Sequence, residues 1–519
     1  MTIIVFGGYF GILLVLCVFG AHRLIITRLY HKNRNRRHRP ETRFSELPSI
    51  TIQLPIFNEK FVVDRMIDAC VAIDYPRDRL QIQVVDDSTD ETRYLAEARV
   101  RMHRENGIDI QHIHRENRVG FKAGALENAM NRATGEFIAI FDADFIPPKD
   151  ILHRTIHHFS DPKIGMVQTR WDHLNRDFST LTQVQSIMLD AHFMIEHGGR
   201  NVSGLFFNFN GTAGIWRRTA IEDAGGWEHD TLTEDLDLSY RAQMKGWRFL
   251  FIPEVTCPAE LPIAAGAFKT QQFRWAKGSV QVMRKILPTI WRSSQPLAVK
   301  MEATFHLTGN LAYVLMMINT LIFVIPSMVL RGHWEWWRIL LIDGPIFFMA
   351  SISFILFYMA SQRAVFGHTK GRKRFIPALM SIGIGLGLNN TRAVIEALMG
   401  KQSEFVRTPK TGSIGKAGTG GKTGYKLPRS GWGLIEVAIG FMYTGAIVWA
   451  IQAGVWGSVP FLLLFQNGFL YMGLLTLFEE WHRGRPQVVR NGEEAGNRTV
   501  DQEKMRAEQE QGIAYQEQG

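Results

Sequence analysis

Three acidic motifs occur in order along this 519-residue chain, each of a type that can do chemistry. Val84-Val-Asp-Asp-Ser-Thr-Asp90 and Phe141-Asp-Ala-Asp-Phe145 both close a short apolar run, which puts Asp86, Asp87, Asp142 and Asp144 at strand ends. In open α/β sheets, ligands bind outside the carboxyl ends of the strands. Carboxylates spaced like Asp142 and Asp144 can share one hard cation, Mg2+ or Mn2+, that bridges a diphosphate. Such a cation offsets charge on a leaving nucleotide diphosphate. The bland alternative is a solvated acidic turn. About 90 residues further on, Leu232-Thr-Glu-Asp-Leu-Asp-Leu238 offers Glu234 and Asp235. These can cap a helix, and a positioned Asp can also take the proton from an attacking hydroxyl. Gln271-Gln-Phe-Arg-Trp-Ala-Lys277 then sets a forked phosphate donor, Arg274, beside a flat ring, Trp275, on which a sugar can stack. Its alternative is an amphipathic helix leaving the domain.

Such groups need a sheet to hold them. Ser49–Pro55, Leu80–Val85 and Phe137–Phe141 read as strands, and Phe61–Ile73 as a helix. Alternation of this kind predicts an α/β unit with a mostly parallel sheet. It runs from Thr42 to about Pro296, long enough to bury its own core.

Either side of that unit the charges vanish. Ile3–Gly20 is uncharged and long enough to span a membrane. Arg23, Arg28, Lys32, Arg34, Arg36, Arg37 and Arg39 follow it with no acidic residue among them, which sets the N-terminus outside and the basic stretch in the cytoplasm. Ala303–Leu330 and Gly344–Gln362 each read as a span. Val437–Phe478, 42 residues without a charge, reads as two spans around Gly454–Pro460. Ile376–Leu398 is apolar but holds Asn389, Asn390, Arg392 and Glu396. Five basic residues in 363–374 and seven in 401–429 keep both flanking loops inside only if this segment lies in the interface. The expectation is therefore five spans. The net charge of +10 belongs mainly to loops beside anionic lipid rather than to a nucleic-acid site. A mean hydropathy of −0.05 is the average of two unlike parts.

Together the motifs resemble those of the processive family 2 glycosyltransferases of the cellulose synthase superfamily, whose pattern is Asp-Asp, Asp-x-Asp, Thr-Glu-Asp and Gln-x-x-Arg-Trp. Leu54-Pro-Ile-Phe-Asn-Glu59, Gly120-Phe-Lys-Ala-Gly-Ala125, Asn208-Phe-Asn-Gly-Thr-Ala-Gly214 and Asp223-Ala-Gly-Gly-Trp227 extend the likeness over Ile52 to Arg284. It looks most like the plant cellulose synthase-like A and C groups, which make β-1,4-mannan and β-1,4-glucan, and their bacterial relatives. The resemblance implies a nucleotide-sugar-binding domain of GT-A type, inserted between transmembrane helices of a polytopic protein. It implies that Asp86, Asp87, Asn58, Glu59, Lys122, Asp142, Gln271 and Arg274 bind the nucleotide sugar, and that Asp142 and Asp144 hold a divalent cation, Mg2+ or Mn2+. Asp235, with Glu234 beside it, would be the catalytic base. Trp275, Asn210, Gly211 and Thr212 would bind the acceptor, although the cellulose synthases proper carry Cys at the Asn210 position. Phe405-Val-Arg-Thr-Pro-Lys410 resembles their gating loop, with Phe405, Thr408 and Lys410 matching and Arg407 replacing a Val.

The organisation expected is a transmembrane helix at 1–22, a basic linker at 23–48 and the cytoplasmic catalytic domain at 49–300. Two spans at 301–362, the interfacial helix and gating-like loop at 363–430, two spans at 431–480 and a disordered tail at 481–519 follow. The function implied is polymerisation of hexose from UDP-glucose or GDP-mannose into a β-1,4-linked glucan or mannan that crosses the membrane, the donor being left open with a slight lean to glucan. The partners implied are the nucleotide sugar, the growing glycan and the bilayer, with room for accessory export proteins and none for nucleic acid. The location is the cytoplasmic membrane of a bacterium or the Golgi of a eukaryote. A non-processive enzyme adding one sugar to a lipid carrier, and a non-catalytic nucleotide-sugar-binding subunit, stay open. His306, Asn310, Asn319 and the loop His333-Trp-Glu-Trp-Trp337 could line the glycan path; helix-to-helix hydrogen bonds are the plainer reading. Gly415–Thr423 lacks the Walker A spacing and reads as a linker. His112, His114, His153, His157 and His158 lack zinc-spaced Cys and read as solvated.

Overall fold

The apolar runs expected as strands are strands, displaced by at most one residue at either end. The computed structural model describes residues 2–36, 38–40, 42–332, 334–408, 410, 412 and 431–483. Its strands are β1 (Ile50–Ile56), β2 (Leu80–Asp86), β3 (Ile110–His114), β4 (Phe137–Ile140), β5 (Ile164–His173), β6 (Gly214–Arg217) and β7 (Arg248–Ala259). They form one sheet in the order β3-β2-β1-β4-β6-β5-β7. Every neighbouring pair is parallel except the two made by β6, which runs against β4 and β5. The sheet is thus mostly parallel, as the alternating pattern required.

β4 shows why. All four of its residues are buried, so both faces are covered and the run is apolar throughout. Phe137 and Ala139 enter one core with Leu54, Met66 and Val84, while Ile138 and Ile140 enter another with Trp216, Leu238 and Phe249. On the polar side of β1 and β2 two rungs of side-chain hydrogen bonds, Thr51 to Gln81 (2.9 Å) and Gln53 to Gln83 (3.1 Å), satisfy groups that burial would otherwise strand. The register sets Ile56, Asp86 and His114 side by side, so the carboxyl ends of β1, β2 and β3 share one rim. Asp142 and Asp144 leave β4 at the same rim.

Residues Met1–Thr476 make one unit; Leu477–Gly519 make a second, of which 477–483 are described and helical. Among the described residues, five helices are long and apolar enough to cross a membrane: Thr2–Asn33, Leu311–Leu330, Gly344–Phe366, Trp432–Gln452 and Trp456–Trp481. Their number matches the expected five. Ile376–Gly385 and Gly387–Leu398 are separate helices of 10 and 12 residues, each too short to cross. The first helix continues to Asn33, past the boundary expected at residue 22, because its basic half packs on the domain. Ile26 is buried with Val184, Ile187 and Ile195. The second expected span begins at Leu311 rather than Ala303, since Leu297–Thr308 is a helix of its own. Gly415–Thr423, residue 333 and the tail beyond Arg483 lie outside the described residues.

The helix Ala265–Arg292, which carries Gln271, Arg274 and Trp275, joins the domain to the helix Gly387–Leu398. Lys277, fully buried, places its ammonium 2.9 Å from Glu396. Removing one partner of a buried pair leaves an uncompensated charge. Glu396→Gln should therefore lower stability by about 3 kcal/mol, read as a shift in chemical unfolding in detergent, and Lys277→Met combined with Glu396→Leu should recover most of it.

Candidate active site

The loops leaving β1, β2 and β4 open onto a cleft of about 180 Å3. The loop after β1 is fixed to the loop after β2 by Asn58. Its N–H donates to Ser88 Oγ (2.9 Å) and its Oδ1 accepts from Thr89 N–H (2.8 Å). Asn58 has φ of 56°, a left-handed conformation that Asn tolerates when its side chain bonds locally. Glu59 lines the cleft, 2.6 Å from Arg407. Burial pushes its carboxyl up to about 7 against the pull of Arg407 and Lys410.

The paired aspartates divide their work. Asp87 lines the cleft and accepts both arms of Arg115, at 2.8 and 2.6 Å. Asp86 is fully buried and turned away. Its carboxylate accepts from Ser88 N–H (2.7 Å), lies 2.9 Å from His112 Nε2 and 3.5 Å from His114 Nδ1, and does not line the cleft. His112 and His114 are consequently not the solvated residues the sequence suggested: alternate positions on β3 put both against Asp86. His158 is also buried, 3.2 Å from His38.

Lys122, in the helix Phe121–Met130, reaches Asp142 Oδ1 (2.6 Å) and the carbonyl of Gly211 (2.8 Å). Burial opposes its charge, but Asp142 and Glu234 hold it above the usual lysine range. Thr212 stands behind, its Oγ1 accepting from Asp142 N–H (2.8 Å). Asp144 pairs with Lys410 at 2.5 Å. The oxygens of Asp142 and Asp144, each met by an ammonium, face the cleft as hard carboxylate donors, the set that suits Mg2+ or Mn2+. Among the described residues, two three-residue groups elsewhere have metal-ligand spacing. One is Asp86 with His112 and His114; in the other, Glu228, Asp230 and Asp237, the ammonium of Lys285 already sits within 3.0 Å of all three.

Glu234 and Asp235 open the helix Glu234–Met244. Burial first, then the charge of Glu234, raises the Asp235 carboxyl to about 7. Across the cleft lie Gln271, Arg274 and Trp275. The two elements touch through Gly278, where a Cβ would lie 2.5 Å from Thr233 Cγ2 and 2.6 Å from its Oγ1. Phe405 lies over the Arg274 guanidinium (4.4 Å) and stacks on Phe121 (6.1 Å), and Thr408 lines the same cleft.

The predicted residues that gather here are Glu59, Asp87, Lys122, Asp142, Asp144, Asn210, Gly211, Glu234, Asp235, Gln271, Arg274, Trp275, Phe405, Thr408 and Lys410. Asp86, Asn58 and Thr212 brace them from outside. Sequence reasoning passed over Arg118, which lines the cleft 3.4 Å above the Phe57 ring, and over Trp171. The signal for Arg118 was its place two residues before Gly120-Phe-Lys-Ala-Gly-Ala125. Arg407, the departure from the gating pattern, is the residue that meets Glu59.

A second cavity, about 380 Å3, adjoins the first; Trp171, Leu189, Asn210, Thr233, Asp235, Gln271 and Trp275 line both. Phe19, Phe305, Phe357 and Tyr358 add aromatic faces, and His306 and Asn310 line it as well. Asn319, expected on the same path, is buried in the irregular turn Asn319–Phe323 and does not.

Residues 48–278 match the family model described as glycosyltransferase like family 2. That match takes in all seven strands and the candidate site as far as Trp275. Over 284 residues it is 40% identical to glucomannan 4-beta-mannosyltransferase 2 of Arabidopsis thaliana, covering 52% of this chain and 53% of that one. Over 248 residues it is 43% identical to a probable glucomannan 4-beta-mannosyltransferase 4 of Oryza sativa subsp. japonica, covering 47% and 45%. The chain thus spans about half the length of the curated relatives it matches. A mannosyltransferase from Pyrobaculum calidifontis, solved with GDP-Man and Mn2+, is similar with a TM-score of 0.47 and 20% identity, over 69% of this chain and 99% of that one.

Gly278→Ala should displace Thr233 and, with it, Glu234 and Asp235. Sub-ångström to 1 Å misplacement of a reacting group costs up to about 100-fold. We expect turnover to fall at least about 10-fold while nucleotide binding, measured by calorimetry, stays within about twofold.

Proposed function

We propose that this protein transfers hexosyl units, mannosyl in the first place, from a nucleotide sugar to the 4-hydroxyl of a β-glycan that leaves through the membrane helices. One observation carries the reading: Asp235 lines both cavities, so the cleft of carboxylates and cations meets the aromatic-lined cavity at a single carboxylate. The donor belongs in the cleft and the acceptor in the second cavity. The mannosyltransferase names of the plant relatives turn the expectation from glucan to mannan.

Asp235 takes the proton of the acceptor hydroxyl, whose oxygen attacks the anomeric carbon as the bond to the diphosphate breaks. One displacement inverts the configuration. Lys122 and Arg274 face the departing diphosphate with positive charge. Asp142 and Asp144 would hold Mg2+ or Mn2+, whose charge would offset that of the leaving group. Trp275 and Gln271, at the junction, hold the terminal sugar. Phe405, Thr408 and Lys410 close over the donor. The N-terminus lies outside and the catalytic domain at residues 49–300 inside, as the basic loops require.

Asp235→Asn should reduce transfer by at least about 1,000-fold, within the range of a lost general base, with nucleotide affinity retained. Unchanged transfer would contradict the assignment. The base works as its carboxylate, and burial lifts that carboxyl to about 7. The rate of the wild type should therefore drop about tenfold per pH unit below about 7 and level off above it, in initial-rate profiles at saturating metal.

A further inference from the structure

Between the helices Thr180–Ala191 and Gly198–Val202 the chain widens into a π turn, His192–His197. Such turns are uncommon and often mark functional sites. This one sets His192 and Glu196 side by side, with His192 Nδ1 2.8 Å from Glu196 Oε2. Asn210 Nδ2 lies 2.9 Å from the other ring nitrogen, Nε2. With the Asn210 amide donating, Nε2 accepts and Nδ1–H donates to Glu196, which fixes both the ring and the carboxylate.

This row runs from the donor cleft into the second cavity. Asn210 lines both, whereas His192 and Glu196 line only the second. Polar capacity along it is unspent. Asn210 Oδ1 and Asn208 Oδ1 are buried and accept no hydrogen bond among the described residues, and Glu196 meets His192 through Oε2, which leaves Oε1 toward the cavity its side chain lines. Buried polar atoms are ordinarily satisfied. Burial works against charge on Glu196, yet the His192 hydrogen bond and the Arg200 guanidinium hold its carboxyl below the usual range, so it faces the cavity as an anion. Arg200 is itself committed to Glu302 at 2.8 Å. A fixed anion with open acceptor capacity, in a cavity that Phe305, Tyr313 and Tyr358 also line, suits a neutral chain with apolar faces and a hydroxyl rim.

We propose that Glu196, held in place by His192, binds a hydroxyl of the acceptor glycan at a subsite behind the terminal sugar. The inference rests on the transfer reading above and adds to it a residue that holds the chain rather than reacts with it. Glu196 then governs how well a glycan longer than one sugar is retained, and Asn210 links that grip to the reacting end.

The test uses the full chain in detergent, a labelled nucleotide sugar and β-1,4-linked mannohexaose as acceptor. Glu196→Gln should raise KM for the hexaose about 10-fold, the scale of a lost hydrogen bond to a charged group, with donor KM within about twofold. His192→Phe, which keeps the ring and loses both hydrogen bonds, should move the same constant in the same direction. Nucleotide binding by calorimetry verifies folding, and His192→Phe carries the test if Glu196→Gln does not fold. An unchanged hexaose KM in a folded variant overturns the subsite while leaving the transfer reading intact. A fall in kcat with no change in that KM also overturns it, since it marks a structural role. A wild type that transfers nothing overturns both.

Discussion

Seven carboxylates and five cationic side chains line one cleft, and keeping these charges together is the constraint on which the rest of the structure depends. Carboxylates this close cannot all stay ionised without cations in contact. The cations come from segments far apart in the chain. Lys122 arrives from the helix after β3, Arg274 from the helix Ala265–Arg292, and Arg407 and Lys410 from the loop beyond Gly387–Leu398. Glu59, Asp142 and Asp144 each meet one of these cations. A catalytic domain cut off before residue 300 would lose two of them. The charge balance therefore binds the segment that follows the membrane helices into the site.

The same geometry joins the cleft to the second cavity. Glu234 and Asp235 begin a helix whose N-terminus is wedged against Ala265–Arg292 at Gly278, where any Cβ would push on the Thr233 side chain. Trp275 and Gln271, a turn earlier on that helix, then stand between the two cavities. The second cavity continues to Phe19 of the first membrane helix and Tyr358 of another. Proximity of this kind turns a collection of motifs into two joined cavities, one lined by charges and one by aromatic rings.

Much of this was legible in the residues. Apolar runs ending in carboxylates located β1, β2 and β4, because strands buried on both faces leave no polar alternation to confuse. Uncharged stretches located the five membrane helices, and the basic loops kept Ile376–Leu398 out of their number. Other parts were hidden. β3 carries Gln111, His112 and His114 and resembles a loop; its histidines face Asp86 only through parallel pairing with β2. β6 has four residues and runs against its neighbours, which no local pattern announces. The extension of the first helix to Asn33 depends on Ile26 finding a tertiary partner. Asp86 and Asp87 look equivalent in sequence, yet adjacent positions at a strand end face opposite ways, so one lines the cleft and the other braces it. The His192–Glu196 pair needed the π turn to be seen at all.

The most direct test of the account is product analysis with the purified full chain in vesicles. Labelled GDP-mannose and labelled UDP-glucose are supplied separately with Mn2+, and the product is sized and digested with linkage-specific β-1,4-mannanase and β-1,4-glucanase. The account predicts a polymer of many units from GDP-mannose that mannanase degrades, retained inside vesicles whose catalytic domains face outward. A product carrying a single sugar, or no incorporation from either donor, would contradict it.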